Sequence, residues 1–513
     1  MTEREYIVSL KRGVDAASFA AEMTQTTGNT TIPDRSVDIA NARLLSERNT
    51  HYSLTDQEAQ ALRNDHRVVD VAIPPDQDDD LELVRNAIQT ADFTKTTSDS
   101  GNFVNWGLRR CIGTNNPYGS NLTENTGQYT YNLDGTGVDV VIQDSGLQVD
   151  HPEFQDKNGV SRVQQIDWYT SSGLSGTQNA NHYRDYNGHG THCAGIAAGK
   201  TYGWAKESHI YSVKVAGLEG SGDPGTGISV TDCFDVIKGW HNNKPVDPVT
   251  GFKRPTIVNM SWGYGSYFYN ILGGNYRGTN WTGTTRRTDY GMVGSYVSVY
   301  NLYRYVVRVA SVDTDLQEMI DAGIHVCVAA GNSFQKIDVP GGVDYNNYFN
   351  SGAFGSNRYY HRGGSPYDDE AIVVGNIDSS VHSGGLEQKA QSSENGPGVD
   401  LYAPGTDIMS TSSTINEFNT GNYPQDTNFK IMNISGTSMA SPQVCGVGAL
   451  ILQANPHMNP AQLKKYMLAQ TASGSIYSTG LDNDYTDSRS IKNGNNRFLV
   501  NPFSSEYKYR ILN

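Results

Sequence analysis

Several features that would narrow the function are missing from this sequence. No run approaches the roughly 18 apolar residues of a membrane-spanning helix, so we expect no membrane partner. Basic residues are scarce, with 39 Lys and Arg against 54 Asp and Glu and a formal net charge of -15. This deficit argues against a nucleic-acid partner. The start, M-T-E-R-E-Y-I-V-S-L-K-R-G, carries charge where a signal peptide has its apolar region, so no export signal is expected.

Disulfide bonds are not expected either. The cysteines are odd in number, and all but the first lie in apolar helical or strand-like runs: Cys111, Cys193, Cys233, Cys327 and Cys445. Such cysteines are typical of buried thiols in a protein that folds in a reducing compartment.

The first 75 residues are predicted to form a compact α+β unit. Two strand-like and two helical stretches lie here: Tyr6–Leu10, Ala16–Met23, Thr55–Asn64 and Val68–Ile73. Residues 76–102 begin with D-Q-D-D-D-L-E-L and continue as a polar stretch. This change of composition predicts an exposed linker.

From residue 103 to residue 513 apolar strands alternate with helical stretches. The strands are Val138–Gln143, His209–Val215, Thr256–Met260, His325–Ala329, Ala371–Val374 and Val399–Tyr402, and the helices are His189–Ala198, Ile228–Trp240, Val312–Ala322 and Met439–Ala454. This alternation predicts the α/β class, with a mostly parallel sheet covered by helices on both faces. Reactive groups of such folds collect at the carboxyl ends of strands and at helix N-termini.

Three segments place reactive side chains at those positions. V-D-V-V-I-Q-D-S-G ends a strand with Asp144, N-G-H-G-T-H-C-A-G starts a helix with His189, and G-T-S-M-A-S-P places Ser438 before another helix. Each has a plain structural interpretation, since such residues often only cap turns or helices. Ordinary capping rules would even choose Ser441, followed by Pro442, as the N-cap of the last helix.

Together the three segments resemble the subtilisin-like serine proteases, which have the same chain order of Asp, His and Ser. Further matches lie between them: V-N-M-S-W-G (Val258–Gly263), V-A-A-G-N (Val328–Asn332) and L-Y-A-P-G (Leu401–Gly405). The likeness covers Trp106–Gln470 and is greatest to the proteinase K branch. It implies a three-layer subtilisin-like fold and endopeptidase activity on extended polypeptides.

The resemblance also implies the roles of the site residues. Ser438 is the nucleophile, His189 takes its proton, Asp144 orients the imidazole, and Asn332 donates a hydrogen bond to the oxyanion. Substrate is expected to lie as an added strand between two edges, formed by Gly220, Ser221 and Gly222 on one side and by Ser261, Trp262 and Gly263 on the other.

Two other chemistries were considered for this region. His189 and His192 are three residues apart and could suggest zinc, but the helix lacks the Glu and the spacing of H-E-x-x-H. Cys193 could be a nucleophile, although a buried, inert thiol is the simpler interpretation. We expect no required cofactor and no metal site. A structural calcium ion would fit the family, yet Glu153 lacks the partner loop, so calcium has no assigned place.

The N-terminal unit resembles the propeptide of the family, a ferredoxin-like chaperone that then inhibits the enzyme. Cleavage is expected between about Pro75 and Asn105, ahead of N-W-G-L-R-R. The alternative is an unrelated N-terminal binding domain.

Two segments depart from the family pattern. An aromatic, Gly-rich insert at about residues 264–305 directly follows a substrate-binding strand, and the loop Gly341–Pro366 is long and is expected to be irregular. The insert, V-D-Y-N-N-Y and P-Q-V-C-G-V also resemble subtilases encoded by large tailed phages. The protein is therefore expected in the cytoplasm of the producing cell, or in the virion if phage-encoded. The rival hypothesis is a structural virion protein whose subtilase domain stays clamped by its own propeptide.

The insert is predicted to form a lid or wall over the cleft, the alternative being a surface or oligomer contact. Deletion of Tyr264–Gly294 should then change kcat/KM unevenly across a peptide library. Unchanged selectivity would contradict this prediction.

Overall fold

The protein is described here from a computed structural model. The described residues are 2–25, 31–43, 45–78, 82–85, 87–88, 105–116, 131–164, 166–225, 228–248, 251–269, 271–283, 288–292, 295–297, 302–351, 357–481 and 487–503. Within these ranges, no helix is both long enough and apolar enough to span a bilayer.

The helices and strands have the following bounds. The α-helices are α1 (Ala16–Met23), α2 (Asp56–Leu62), α3 (Trp106–Arg110), α4 (Trp168–Ser172), α5 (His189–Ala198), α6 (Val230–Asn243), α7 (Ala310–Asp321), α8 (Thr437–Ala454) and α9 (Pro460–Ala469), and short 3-10 helices lie at Pro152–Phe154 and Thr288–Tyr290. The first strands are β1 (Arg4–Leu10), β2 (Ile39–Asn41), β3 (Asn49–Leu54), β4 (Val68–Ala72), β5 (Glu82–Arg85), β6 (Ala87–Ile88), β7 (Asp139–Asp144), β8 (His209–Lys214), β9 (Thr256–Met260), β10 (Trp262–Phe268), β11 (Ile271–Tyr276), β12 (Thr279–Thr282), β13 (Ser295–Val297) and β14 (Leu302–Val306). They are followed by β15 (His325–Ala329), β16 (Tyr348–Ser351), β17 (Asn357–Tyr359), β18 (Ile372–Val381), β19 (Glu387–Lys389), β20 (Leu401–Pro404), β21 (Ile408–Ser412), β22 (Gly421–Tyr423), β23 (Asp426–Gly436), β24 (Ala472–Ser473) and β25 (Arg497–Phe498).

The central sheet has the order β24-β25-β20-β18-β15-β9-β7-β8, and its strands from β25 to β8 are parallel. Successive residues of β7 enter different cores: Val140 packs with residues of α5 and α8, whereas Val141 packs with residues of α6 and α7. Side chains of a strand alternate between its two faces. The helices therefore cover both faces of the sheet, and the predicted three-layer α/β fold is confirmed.

The N-terminal unit, residues 2–72, is a four-stranded sheet of order β2-β3-β1-β4 with α1 and α2. Thr55 caps α2 in a capping box, in which its side chain accepts from the N–H of Glu58 and the Glu58 side chain accepts from the N–H of Thr55. Part of the segment predicted to be an exposed linker instead forms β5 and β6, which pair with strands of the larger unit.

The insert and the loop Gly341–Pro366 form one structure. The insert strands β11 and β12 and the loop strands β16 and β17 form one sheet of order β12-β11-β16-β17. Within it, β11 of the insert pairs with β16 of the loop. Arg277 of the β11–β12 turn donates to Asp344, which also accepts from Lys336 Nζ at 2.7 Å. The expectation that this loop is irregular was wrong, because its strands β16 and β17 pair with each other and β16 also pairs with the insert strand β11.

A buried arginine joins the N-terminal unit to the larger unit. Arg43 Nε lies 2.6 Å from Asp235 Oδ2 on α6, and its Nη2 lies 3.1 Å from Asp315 Oδ1 on α7. These three side chains are no more than 5% exposed. Asn49 Nδ2 donates to the same Asp315 oxygen at 2.8 Å.

Arg43→Ala should strongly destabilise this interface. Loss of one partner of a buried ion pair leaves uncompensated charge and costs about 3–5 kcal/mol; here Asp235 and Asp315 would both lose their cation. The free energy of unfolding should be measured by chemical denaturation of the full chain carrying Ser438→Ala, which prevents self-cleavage.

Arg12→Ala is the matched control at the same interface. Arg12 pairs with Asp321, and both side chains are more than half exposed, so its loss should cost about 1 kcal/mol or less. Equal effects of the two substitutions would contradict the role given to Arg43.

Candidate active site

Three elements bring the predicted catalytic side chains to one edge of the sheet. Asp144 is the last residue of β7, His189 is the first residue of α5, and Ser438 is the second residue of α8. All three are fully buried. The carboxyl ends of parallel strands and the N-termini of the following helices meet at this edge, where ligands of α/β proteins bind.

Asp144 and His189 form a direct hydrogen bond. His189 Nδ1 lies 2.7 Å from Asp144 Oδ1, and the same oxygen accepts from the N–H of Ser145 at 2.7 Å. With Nδ1 donating, the proton of the neutral imidazole is at Nδ1 and Nε2 is the basic nitrogen. His189 Nε2 is buried and has no hydrogen-bond partner among the described residues.

Ser438 lies against the same group of side chains. Its Oγ donates to the carbonyl oxygen of Ser261 at 3.1 Å rather than to His189. Cys193 contacts both catalytic residues, with its Sγ 3.9 Å from His189 Nδ1 and 3.4 Å from the Ser438 carbonyl oxygen.

Pro442 explains why the Ser438 carbonyl has side-chain partners. In a helix this oxygen would accept from the N–H of the residue four positions later, but that residue is Pro442, which has no N–H. Ser261 Oγ and Cys193 Sγ donate to the oxygen instead, at 3.0 and 3.4 Å. Cys193 is thus a structural donor, in line with the inert thiol expected from the sequence.

The capping interpretation of Ser441 was wrong. Helix α8 begins at Thr437 with Gly436 as its N-cap, so Ser441 and Pro442 both lie inside the helix. Ser441 Oγ donates to Asn259 Oδ1 at 2.8 Å. A proline tolerated inside the first turns is what misled the sequence-based capping rule.

Asn332 follows β15 and contacts the start of α8. Its Oδ1 accepts from the N–H of Thr437 at 3.0 Å and lies 3.2 Å from Thr437 Oγ1, which itself accepts from the N–H of Gly331. Because the amide oxygen has these contacts, the NH2 group of Asn332 is the end that can donate to an oxyanion at Ser438. Thr437 was not singled out from the sequence.

Asp185 is a second residue that the sequence analysis missed. Its carboxylate accepts from the N–H groups of Gly188 at 2.8 Å and Thr191 at 2.9 Å, and from Ser145 Oγ at 3.0 Å. Asp185 thus fixes the turn before His189 and links that turn to Ser145, the residue after Asp144. The available signal was an Asp four positions before His189, where a carboxylate satisfies the free N–H groups of a helix N-terminus.

One predicted edge of the cleft pairs with the chain's own segment β5. Strand β10 runs antiparallel to it, with Trp262 opposite Arg85 and Gly263 opposite Val84. Ser261, just before β10, makes the contacts with Ser438 described above.

The other predicted edge does not form a strand within the described residues. Gly220 is needed for packing, because a Cβ there would lie 2.0 Å from the Tyr186 carbonyl oxygen. The N–H of Ser221 donates to Glu417 Oε1 at 3.0 Å, and Gly222 has a positive φ of 81°. The role of these three residues in substrate binding stays a prediction.

The site offers little to a metal ion. Among the described residues, Asp144, His189 and Cys193 form the one group of three with ligand atoms within 4.8 Å of one another, but the first two are hydrogen-bonded together. Burial raises the pKa of the Cys193 thiol, which disfavours the thiolate that metals bind. Glu153 accepts from Tyr423 Oη at 2.8 Å and from the N–H of Thr201, so its carboxylate serves the local structure.

The hydrogen bonds of His192 also argue against zinc binding by this residue. Its Nε2 lies 3.1 Å from the carbonyl oxygens of both Ile408 and Met432 and donates to them. Burial lowers the pKa of His192 to about 3, the neighbouring His189 acting in the same direction. His192 is therefore a neutral structural residue that holds α5 against β21 and β23.

Fold and site together are those of a parallel α/β protein in which an aspartate, a histidine and a serine lie at one edge of the sheet. The sequence model of the subtilase family, peptidase S8, matches residues 135–497. The chain belongs to the subtilase family, and its larger unit is that of a serine-type endopeptidase.

Relatives share this assignment. A subtilisin-like protease of Coccidioides posadasii is 26% identical, over 90% of this chain and 76% of that protein. Alkaline serine exoprotease A of Vibrio alginolyticus is 26% identical over 83% of this chain and 56% of its own length. Proteinase R of Parengyodontium album is 28% identical over 68% of this chain and 60% of its own length. The chain thus spans about half to three quarters of these relatives. The crystal structure of a cold-adapted subtilisin-like serine proteinase is 24% identical over 78% of this chain and 98% of that one, with a TM-score of 0.46.

His192 should make the stability of the fold depend on pH. The unfolded chain binds a proton at this residue below about pH 6.5, while the folded protein does so only near pH 3. Stability should therefore fall as the pH drops between these values, by about 1.4 kcal/mol per pH unit for this residue. His192→Gln keeps an amide donor for the two carbonyls, so it should reduce the slope of unfolding free energy against pH by that amount between pH 6 and 4.

The exposed His66 gives the control. Its side chain is 89% exposed, so His66→Gln removes a histidine from the surface instead of from the core. Both variants are compared in the Ser438→Ala chain, and equal slopes for them would contradict the assignment of His192.

Proposed function

We propose that this chain is a serine endopeptidase made as a zymogen, and that Ser438 cleaves the segment joining the N-terminal unit to the rest. The observation that carries this proposal is the path of β5 and β6. β5 pairs with β10 on one side of the site, and β6 pairs with the end of β23, where Ala87 lies opposite Gly436, two residues before Ser438.

This path is that of a bound substrate. An extended peptide that adds a strand to a cleft gains main-chain hydrogen bonds whatever its side chains are. The segment pairs with the enzyme up to Arg85 and again from Ala87. The two peptide bonds between these residues are therefore the proposed cleavage sites, and they lie within the range of Pro75 to Asn105 expected from the sequence.

The chemistry follows from the geometry of the site. His189 Nε2 accepts the Ser438 proton as Oγ attacks the peptide carbonyl, and Asp144 stabilises the imidazolium that forms. The N–H of Ser438 and the NH2 of Asn332 donate to the oxyanion. His189 then gives the proton to the leaving amine, and a water molecule activated by the same imidazole hydrolyses the acyl-enzyme.

The N-terminal unit would inhibit the site until it leaves. Its anchor is the buried Arg43, which is paired with Asp235 and Asp315 on the two neighbouring helices. An anchor this well buried also suits the rival function, a structural protein whose protease domain stays clamped. Whether the chain cuts itself separates the two.

The test is intact mass against time for the purified full chain beside Ser438→Ala. The wild type should lose a fragment that ends at Arg85 or Asn86, and Ser438→Ala should stay whole, because it lacks the nucleophilic oxygen. Ser441→Ala is the matched control, since it removes a buried hydroxyl from the same helix that donates to Asn259 Oδ1 and does not contact Ser438 Oγ. It should be processed like the wild type.

Each outcome decides between the two functions. Processing of wild type and Ser441→Ala alone establishes the proposed self-cleavage. Processing of Ser438→Ala as well would mean a contaminating protease or a wrong nucleophile. If the wild type stays whole and hydrolyses no peptide, the clamped structural function replaces the proposal.

A further inference from the structure

The loop that carries Asn332 is held from two sides. On one side Thr437 of α8 contacts Gly331 and Asn332, as described above. On the other side lies the segment Ser392–Asn395, which none of the sequence motifs includes. Oxyanion donors work only where they are fixed before the reaction, because reorienting them would cost free energy at the transition state.

Glu394 makes the central contacts on this second side. Its Oε1 accepts from the N–H of Ser333 at 3.1 Å, and its Oε2 accepts from the N–H of Gln335. Its own N–H donates to the carbonyl oxygen of Gly331 at 3.0 Å. One glutamate therefore binds the backbone directly before Asn332 and directly after it.

Neighbouring contacts leave this loop little freedom. The N–H of Phe334 donates to the Ser392 carbonyl oxygen at 2.8 Å, and the ammonium groups of Lys389 and Lys492 lie 4.9 and 4.6 Å from the centroid of the Phe334 ring. Phe334 also has a φ of 59°, a strained value for a residue other than glycine. The surroundings must therefore hold this conformation in place.

The packing around Glu394 is close. Gly331 has a φ of 115°, and a Cβ on it would lie 2.9 Å from Glu394 Cγ. Glu394 is itself fully buried. Burial raises its pKa to about 8, while the N–H groups of Ser333 and Gln335 act in the opposite direction because they stabilise the carboxylate. Burial of this carboxyl group costs free energy because it disfavours the charged form, which indicates that Glu394 has a function beyond filling space.

We propose that Glu394 is a positioning residue for catalysis, which fixes the Asn332 amide where the oxyanion forms by binding the backbone on both sides of it. It touches neither substrate nor the triad and acts only through Asn332. The inference rests on the proposed endopeptidase activity.

The test compares Glu394→Gln with the wild type at pH 9, above the pKa of Glu394, in the form of the protein that hydrolyses peptides. The glutamine amide has one acceptor oxygen where the carboxylate has two, so one of the two backbone N–H groups loses its partner. A misplacement of about 1 Å can cost on the order of 10²-fold in rate. We expect kcat to fall by about 10- to 100-fold, with KM within about twofold because ground-state binding does not use the oxyanion donor.

A double-mutant cycle separates positioning from general damage. If Glu394 acts through Asn332, then Glu394→Gln should change kcat by less than about twofold in the Asn332→Ala background. An equal loss of kcat in both backgrounds would overturn the proposal, and so would a wild-type kcat for the single variant.

Two further variants keep these outcomes interpretable. Glu387→Gln makes the same chemical change at a buried glutamate that pairs with Arg110 instead of the Asn332 loop, and its kcat per folded molecule should match the wild type. If Glu394→Gln does not fold, Glu394→Asp answers the question, because the shorter carboxylate reaches one N–H group and not both, so an unchanged kcat would overturn the proposal. Activity of the wild type and its loss in Ser438→Ala test the proposed function separately.

Discussion

The hydrogen bond between Asp144 and His189 is the interaction on which the rest of the site depends. It joins the end of β7 to the start of α5 over 2.7 Å in a fully buried position. In such a place an unpaired polar group would be costly, so both elements must be held firmly. Asp185 supplies that support, since it binds the turn before His189 and the side chain of Ser145, next to Asp144.

The start of α8 is also held by side chains from other elements. Pro442 removes the helical partner of the Ser438 carbonyl oxygen, and Ser261 and Cys193 replace it with side-chain donors. Ser261 lies directly before β10, and Cys193 lies on α5. The Ser438 carbonyl oxygen thereby joins α8 to α5 and to the residue before β10, and this contact gives the Cys193 thiol a structural role.

The segment after the N-terminal unit and the insert both pair with the main chain of β10. Strand β10 begins beside Ser438. It pairs with the cleft segment β5 on one edge and with the insert strand β14 on the other. The insert is thus continuous with β10, which follows the predicted substrate-binding residue Ser261. A cluster of aromatic side chains from the insert and from the loop Gly341–Pro366, with Phe268, Trp281, Tyr305 and Phe349, gives this part of the molecule a core of its own.

Much of the fold and the central triad could be predicted from the sequence. The strands Thr256–Met260 and His325–Ala329 and the helix His189–Ala198 lie where the apolar patterns placed them. The pattern works there because both faces of the sheet are buried, so the strands appear as continuous apolar runs. The same reasoning failed at Gly341–Pro366, where β16 pairs both with β17 nearby and with the insert strand β11 far along the chain.

The sequence by itself determined the class of fold, the chain order of the triad and the glycines that let backbones approach. These are local properties, set by side-chain type and spacing. Only the tertiary structure decided that Ser441 lies inside a helix, that the polar segment after Pro75 forms strands in the cleft, and that Glu394 reaches the Asn332 loop. Each of these depends on a contact between residues distant in sequence, and no local pattern specifies which distant group will meet it.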